Sequence, residues 1–372
     1  MNTSREGNTT WSMLGNSSGK SPNCTDWSQA SAGDVFKLFL MVLLVVVISL
    51  GNLVSLLVFF RVRQFRTSQG YLKASLALAD LAVGLIVVPY SVYREVNRLT
   101  WGMEPEMDKY EKPACFITGP IFAGCTFVSI STIFLLSVER SVAVLKPLHR
   151  KAVITKRRTI WLIVASWAMS CCLAVVPLLS SPDITFQYNA CSKMCNYAFP
   201  TDKPPESHWN IMLLYPVFDF SVLSGTFAIN AVTFAAVHQY CKKRKQLGEE
   251  AQGGSNQVSF SDITAAKTIG ILTFAFSISF LPIAVFVVGS VVGYQWCKFS
   301  FYAFWILTSN SCWNVAIYSV WDPKFRQGVR ELFNKPVLIS TSQDAACSQE
   351  EHSSAPACVA VLKKMFRPES NR

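Results

Sequence analysis

Seven apolar blocks dominate this sequence. Each approaches the roughly 20 residues that a helix needs to cross about 30 Å of hydrocarbon. They run over residues 35–60, 71–93, 114–145, 159–180, 209–241, 263–292 and 299–321. Lipid offers the backbone no hydrogen-bond partner, so a spanning segment must be a helix or belong to a closed barrel. These blocks are continuously apolar rather than alternating, which predicts helices. The expected fold is therefore an all-α membrane protein, a seven-transmembrane helix bundle with its termini on opposite sides. Composition agrees, with 51% hydrophobic and only 15% charged residues, against roughly 25% charged in a soluble domain.

Lys and Arg gather in the first, third and fifth connections, at Arg61, Arg63 and Arg66, then Lys146, Arg150, Lys151, Lys156, Arg157 and Arg158, then Lys242, Lys243, Arg244 and Lys245. The other connections mix signs. The positive-inside rule then places the basic loops in the cytoplasm and the N-terminus outside. The formal charge of +11 is read as a feature of the inner face, there to set topology and attract anionic membrane lipid, and no nucleic acid is expected as a partner. The polar first 34 residues carry sequons at Asn2, Asn8, Asn16 and Asn23, as a glycosylated external tail would. No cleavable signal peptide is expected; the first span serves as its own insertion signal.

The same sidedness puts Cys24, Cys115, Cys191, Cys195 and Cys297 outside, where disulfides persist, and an odd number leaves at least one free or intermolecular. Cys347 and Cys358 lie in the tail, palmitoylated or unmodified. The predicted organisation is an extracellular tail (1–34), a seven-transmembrane domain (35–321), an amphipathic membrane-surface helix (322–334) and a disordered cytoplasmic tail (335–372). Phe325, Val329, Leu332 and Phe333 recur at helical spacing among charges, which predicts the short helix.

Ionisable groups at membrane depth are costly unless paired, so they point to function. Asp80 sits mid-way along the second block. It is either a carboxyl that glues helices or a cation or proton site. Glu139 and Arg140 stand together at the inner end of the third block, where Arg140 either snorkels to headgroups or serves a switch.

A set of motifs falls in order on these blocks. Gly51-Asn52 stands in the first, Leu76-Ala77-Leu78-Ala79-Asp80 in the second, and Cys115 with Glu139-Arg140-Ser141 at the two ends of the third. Trp167 and Pro177 stand in the fourth, Phe276 through Pro282 in the sixth, and Asn310 through Tyr318, followed by Phe325, in the seventh. From Gly51 to Phe333 the chain resembles the rhodopsin-like (class A) family of G-protein-coupled receptors. The resemblance implies a plasma-membrane receptor, not an enzyme, that signals to a heterotrimeric G protein by outward movement of the sixth helix, with arrestin and receptor kinases as further partners.

Carried over by position, the resemblance makes Asp80, Ser129, Asn310, Ser311 and Asn314 an oxygen-rich sodium site, the ion being allosteric, with no cofactor required. It assigns coupling and switching to Glu139, Arg140, Asp262, Phe276, Phe280, Asn314 and Tyr318. Arg140 would bridge Glu139 and Asp262 at rest, although Asp262 is also a candidate helix cap. It implies a bridge from Cys115 to Cys195, with Cys191 as the alternative partner; Cys24 would then bond Cys191.

The chain departs from the family at Val315, where a Pro follows Asn314, at Phe280, where a Trp precedes the sixth-helix Pro, and at Ser141, where a Tyr follows Arg140. A weaker or displaced kink is expected in the seventh helix. Amine receptors of this type carry Asp at the position of Phe122, and opsins need a seventh-span Lys that is missing between Ile306 and Val320. The expectation is therefore a non-aminergic, non-opsin receptor for an unknown extracellular ligand. Its pocket would be walled by Phe122, Ala123, Thr126, Phe276, Phe280, Trp305 and Thr308, suited to an apolar or aromatic ligand or largely self-filled. The alternatives are a constitutively active or ligand-independent receptor and, from another class, an ion-coupled transporter or channel, against which the lack of an internal repeat counts.

Overall fold

The computed structural model describes residues 31–101, 108–146, 153–180, 184–198, 209–247, 260–292, 294 and 296–333. The sequons, Cys24, Cys347 and Cys358 lie outside these residues. Among the described residues, eight α-helical segments follow in chain order, besides a 3-10 turn at Arg63–Phe65: α1 (Ala32–Arg61), α2 (Ser68–Trp101), α3 (Asp108–Leu145), α4 (Lys156–Ser180), α5 (Trp209–Leu247), α6 (Phe260–Val291), α7 (Cys297–Trp321) and α8 (Pro323–Phe333). An antiparallel hairpin, β1 (Thr185–Asn189) and β2 (Met194–Ala198), lies between α4 and α5. Among the described residues, α1 to α6 are long and apolar enough to span a membrane by composition alone. The polar residues of α7 lower its hydropathy, but Asn310, Ser311 and Asn314 turn inward and are buried. With α7 the bundle has seven spans.

Local chemistry sets the helix ends. The Ser31 hydroxyl accepts from the Gly33 N–H and Thr67 Oγ1 from the Gly70 N–H, so each is an N-cap. Inside α2, Pro89 cannot donate to the preceding turn and its ring crowds a carbonyl there, and the helix widens to a π turn over Val83–Val87. Helix α7 runs unbroken from Cys297 to Trp321, Val315 standing where a Pro would kink it.

In lipid, apolar contact alone gives helices little reason to associate, so small residues and buried hydrogen bonds fix their packing. Asn52 Nδ2 donates to the Ser311 carbonyl (2.9 Å) and ties α1 to α7. Trp167 Nε1 donates to Ser75 Oγ (2.9 Å) between α4 and α2, and Asn230 Nδ2 to Thr273 Oγ1 (2.9 Å) between α5 and α6. The core runs through Ile48, Leu76, Val128, Phe276, Phe280 and Trp305. At one end of the bundle, α8 seats Phe325 against Phe59 and Tyr318. At the other end the hairpin is stapled by Cys115–Cys195 to α3 and by Cys191–Cys297 to α7. The expected Cys24–Cys191 bond is thereby corrected, because the hairpin turn abuts the start of α7 and brings Cys297 to Cys191.

Gly70 shows how tight the first turn of α2 is. A Cβ there would overlap the backbone carbonyl of Phe65, which cannot swing aside. Gly70→Ala is expected to destabilise the bundle by about 1–3 kcal/mol, the range for forced overpacking, seen as a lower melting temperature in detergent; an unchanged melting curve would refute the tight contact.

Candidate functional site

A cavity of about 140 Å³ opens between α3, α5 and α6 beneath the hairpin. Phe122, Ala123, Thr126 and Phe280 line it, as the sequence reading expected, together with Phe127, Phe186, Tyr197 and Tyr215. Three expected wall residues lie elsewhere. Phe276 and Thr308 face a smaller, deeper cavity, and Trp305 donates Nε1 to the Ser192 carbonyl at 2.9 Å. Trp305 and Thr308 meet the hairpin tip, while Phe304 and Leu307 are the α7 residues that line the cavity.

The cavity wall is aromatic, and its rings are held in register. Tyr215 donates its hydroxyl to that of Tyr197 (2.9 Å), which donates to the Ala174 carbonyl (2.6 Å), and the two rings stack. Phe127 packs on Tyr215 with centroids 5.2 Å apart. Into this wall projects Asp219 of α5, only 3% exposed, and none of the described residues hydrogen-bonds its Oδ1. Sequence reasoning missed Asp219, although an acidic residue inside the apolar block 209–241 is the signal that had picked out Asp80. An ionised carboxylate buried without a partner costs several kcal/mol.

Below the cavity, the Phe280 and Phe276 rings stack in parallel, 6.3 Å apart. Phe276 then lines the deeper cavity of about 10 Å³ with Ser129, Asn310 and Ser311, which is close to the space of one water or ion. Next to it the Asn314 amide donates to Asp80 Oδ2 at 2.7 Å, and the Ser311 and Ser129 hydroxyls also bond this carboxylate. The five residues chosen from sequence thus converge. One carboxylate with hydroxyl and amide oxygens is a donor set that a hard cation accepts.

At the α8 end Arg140 is held by Glu139, with Nε 2.9 Å from the carboxylate, and donates to the Gln69 amide oxygen. Asp262 falls in the first turn of α6, but its side chain lies outside the described residues, and so does the expected bridge to Arg140. A second unforeseen ion pair stands beside Arg140. Lys73 of α2, buried, reaches Asp322 Oδ2 at 2.8 Å and lies 4.5 Å from the centre of the Tyr318 ring. Asp322 also caps α8, its Oδ1 accepting the Lys324 and Phe325 N–H groups. Burial alone would raise the Asp322 carboxyl, but the Lys73 ammonium and these N–H groups hold it below the usual carboxylate range. Its stabilising effect is therefore complete at neutral pH and lost only as pH falls through that lowered value.

Removing one partner of this pair is not symmetric. Asp322→Asn keeps the cap but strands the more buried Lys73, whose side chain is 5% exposed against 16% for Asp322, and should cost about 3 kcal/mol. Lys73→Met should cost clearly less, and the double variant should melt like Lys73→Met. Equal melting of Asp322→Asn and the wild type would mean that the clamp carries no stability.

The chain matches the model of the 7 transmembrane receptor (rhodopsin family) over residues 51–318. It is 28% identical over 313 residues to Trace amine-associated receptor 13c of Danio rerio, which covers 79% of this chain and 84% of that receptor. It is 26% identical over 313 residues to Trace amine-associated receptor 9 of Homo sapiens (82% and 86%), and 24% identical over 318 residues to Trace amine-associated receptor 6 of Mus musculus (78% and 83%). The expectation of a non-aminergic receptor, drawn from Phe122, is not supported by these relatives, and Asp219 shows that a carboxyl can enter the cavity from α5 instead of α3. Family membership implies a multi-pass plasma-membrane protein that signals through G proteins and is not an enzyme. The match across the bundle, together with the seven spans and the motifs on them, places this chain in the rhodopsin family of seven-transmembrane receptors.

Proposed function

We propose that the chain is a receptor for a small amine of about one aromatic ring, with the ligand ammonium on Asp219 and its ring among Phe127, Tyr197 and Tyr215. The observation that carries this reading is the Asp219 carboxyl, whose Oδ1 meets no donor among the described residues, in a cavity rich in aromatic rings. An ammonium supplies the missing partner, and aromatic faces attract a cation as well as a ring. Size narrows the class. A cavity of roughly 150 Å³ accommodates benzene, and this one is about 140 Å³, small beside the roughly 300–1,000 Å³ of drug-sized sites. The names of the relatives point the same way.

In this reading the end of the bundle bearing Arg61, Arg140 and α8 faces the cytoplasm, as the basic connections require, and the hairpin faces outside. The signal passes from the cavity through Phe280 and Phe276 to the Asp80 cluster and then to Tyr318 and Arg140, where a G protein docks. Arrestin and receptor kinases act on the same inner face. A sodium ion held by Asp80, Ser129, Asn310 and Ser311 favours the resting arrangement.

2-Phenylethylamine, the simplest one-ring probe, should raise or lower a G-protein second messenger in cells expressing the receptor. Asp219→Asn should weaken its potency about 30-fold or more at equal surface level, since losing one partner of a buried charge pair costs about 2–5 kcal/mol. No response to any one-ring amine, or an unchanged potency in Asp219→Asn, overturns the amine reading. Independently, raising sodium to about 0.15 M should lower amine potency in the wild type and leave Asp80→Asn unmoved; a sodium effect that survives in Asp80→Asn would remove the ion from this site.

A further inference from the structure

The hairpin does more than roof the cavity. Its turn is tightly organised: Asn189 Oδ1 accepts the N–H groups of Cys191 (2.8 Å) and Ser192 (3.1 Å), and Lys193 adopts the left-handed backbone, with φ 59°. One disulfide fixes Cys195 to α3 and the other fixes Cys191 to α7. The three residues between these staples are driven into the bundle, where Ser192 and Met194 are 0% exposed. The Ser192 carbonyl accepts Trp305 Nε1, and Thr308 Oγ1 lies 3.7 Å from Met194 Sδ. Lys193 Nζ meets the buried Glu95 of α2 at 3.1 Å. Glu95 is also held by Arg98, and Arg98 lies 3.7 Å from Asp34 of α1.

We propose that the Ser192-Lys193-Met194 tip is the specificity-determining element of this receptor, occupying the half of the crevice between α2, α3 and α7 and confining ligands to the half that holds Asp219. Three placements carry this. Trp305 and Thr308 of α7 touch the tip and do not line the 140 Å³ cavity. Met194 belongs to the same packed cluster as Phe122 and Leu307, which line the 140 Å³ cavity. Lys193 is itself an ammonium and already satisfies Glu95, so the carboxylate of the blocked half is closed to a soluble amine. The ligand is thereby restricted to one ring beside one charge. The size restriction rests on the amine reading; the occlusion does not.

Two measurements separate them. A cysteine placed behind the tip, Thr308→Cys, should react slowly with the cationic, membrane-impermeant reagent 2-(trimethylammonium)ethyl methanethiosulfonate, relative to the parent chain. Adding Met194→Ala, or loosening the tip with Cys191→Ser and Cys297→Ser, should speed that reaction at least tenfold. Met194→Ala should also shift the potency ratio of 2-(biphenyl-4-yl)ethylamine to 2-phenylethylamine at least tenfold toward the larger amine. If Thr308→Cys reacts as fast as an exposed cysteine with the tip intact, the occlusion is wrong whatever the ligand. If labelling accelerates but the amine ratio stays fixed while both amines act through Asp219, the tip occludes without setting specificity and the proposal fails. Accelerated labelling with no amine response in any variant upholds the occlusion and overturns the amine reading alone.

Discussion

Lipid cannot hydrogen-bond, so a polar group at membrane depth finds its partner inside the bundle or pays for desolvation. This constraint organises the molecule. It makes the spans helical and turns the polar residues of α7 inward, where Asn52 meets the Ser311 carbonyl and Asn314 meets Asp80. It also pulls Lys73 and Asp322 together across α2 and the start of α8. Against that background Asp219 stands out. It has the burial of these groups without a described donor on Oδ1, and it opens onto a cavity. The desolvation cost that the pairs elsewhere offset is not offset at this oxygen among the described residues.

The two ends of the bundle are built on different chemistry. Covalent staples dominate at the hairpin, where two disulfides close loops of chain and fix the turn against α3 and α7. At the α8 end the described contacts are noncovalent: Glu139 holds Arg140, and Lys73 bridges Asp322 and the Tyr318 ring. Such noncovalent contacts can exchange partners, as the disulfides cannot. The Phe280–Phe276 stack and the small Asp80 cavity lie between the ends and make one contiguous packed path.

Much of the helical framework was legible in the chain. The seven blocks match α1 to α7 to within a few residues at most ends, and the helical spacing of Phe325, Val329 and Leu332 anticipated α8. Asp80, Ser129, Asn310, Ser311 and Asn314 were named as a set only by the family resemblance carried over by position, and the structure brings these five together. The cavity was read less well. Trp305 and Thr308 touch the hairpin tip and do not line the cavity. Asp219 and Lys73 were overlooked beside the motif residues, although each is a charge inside an apolar block.

What the sequence determined by itself was the number of helices, their limits and the depth of each polar group, because hydrophobic length and helical rise are properties of one segment at a time. The tertiary structure alone decided which carboxyl enters the cavity, that Cys191 bonds Cys297, and that Lys193 rather than a ligand meets Glu95. Those outcomes depend on how each helix is rotated about its axis and on where a hairpin from a connecting loop comes to rest. Neither is set by local sequence, since both follow from the packing of segments far apart in the chain.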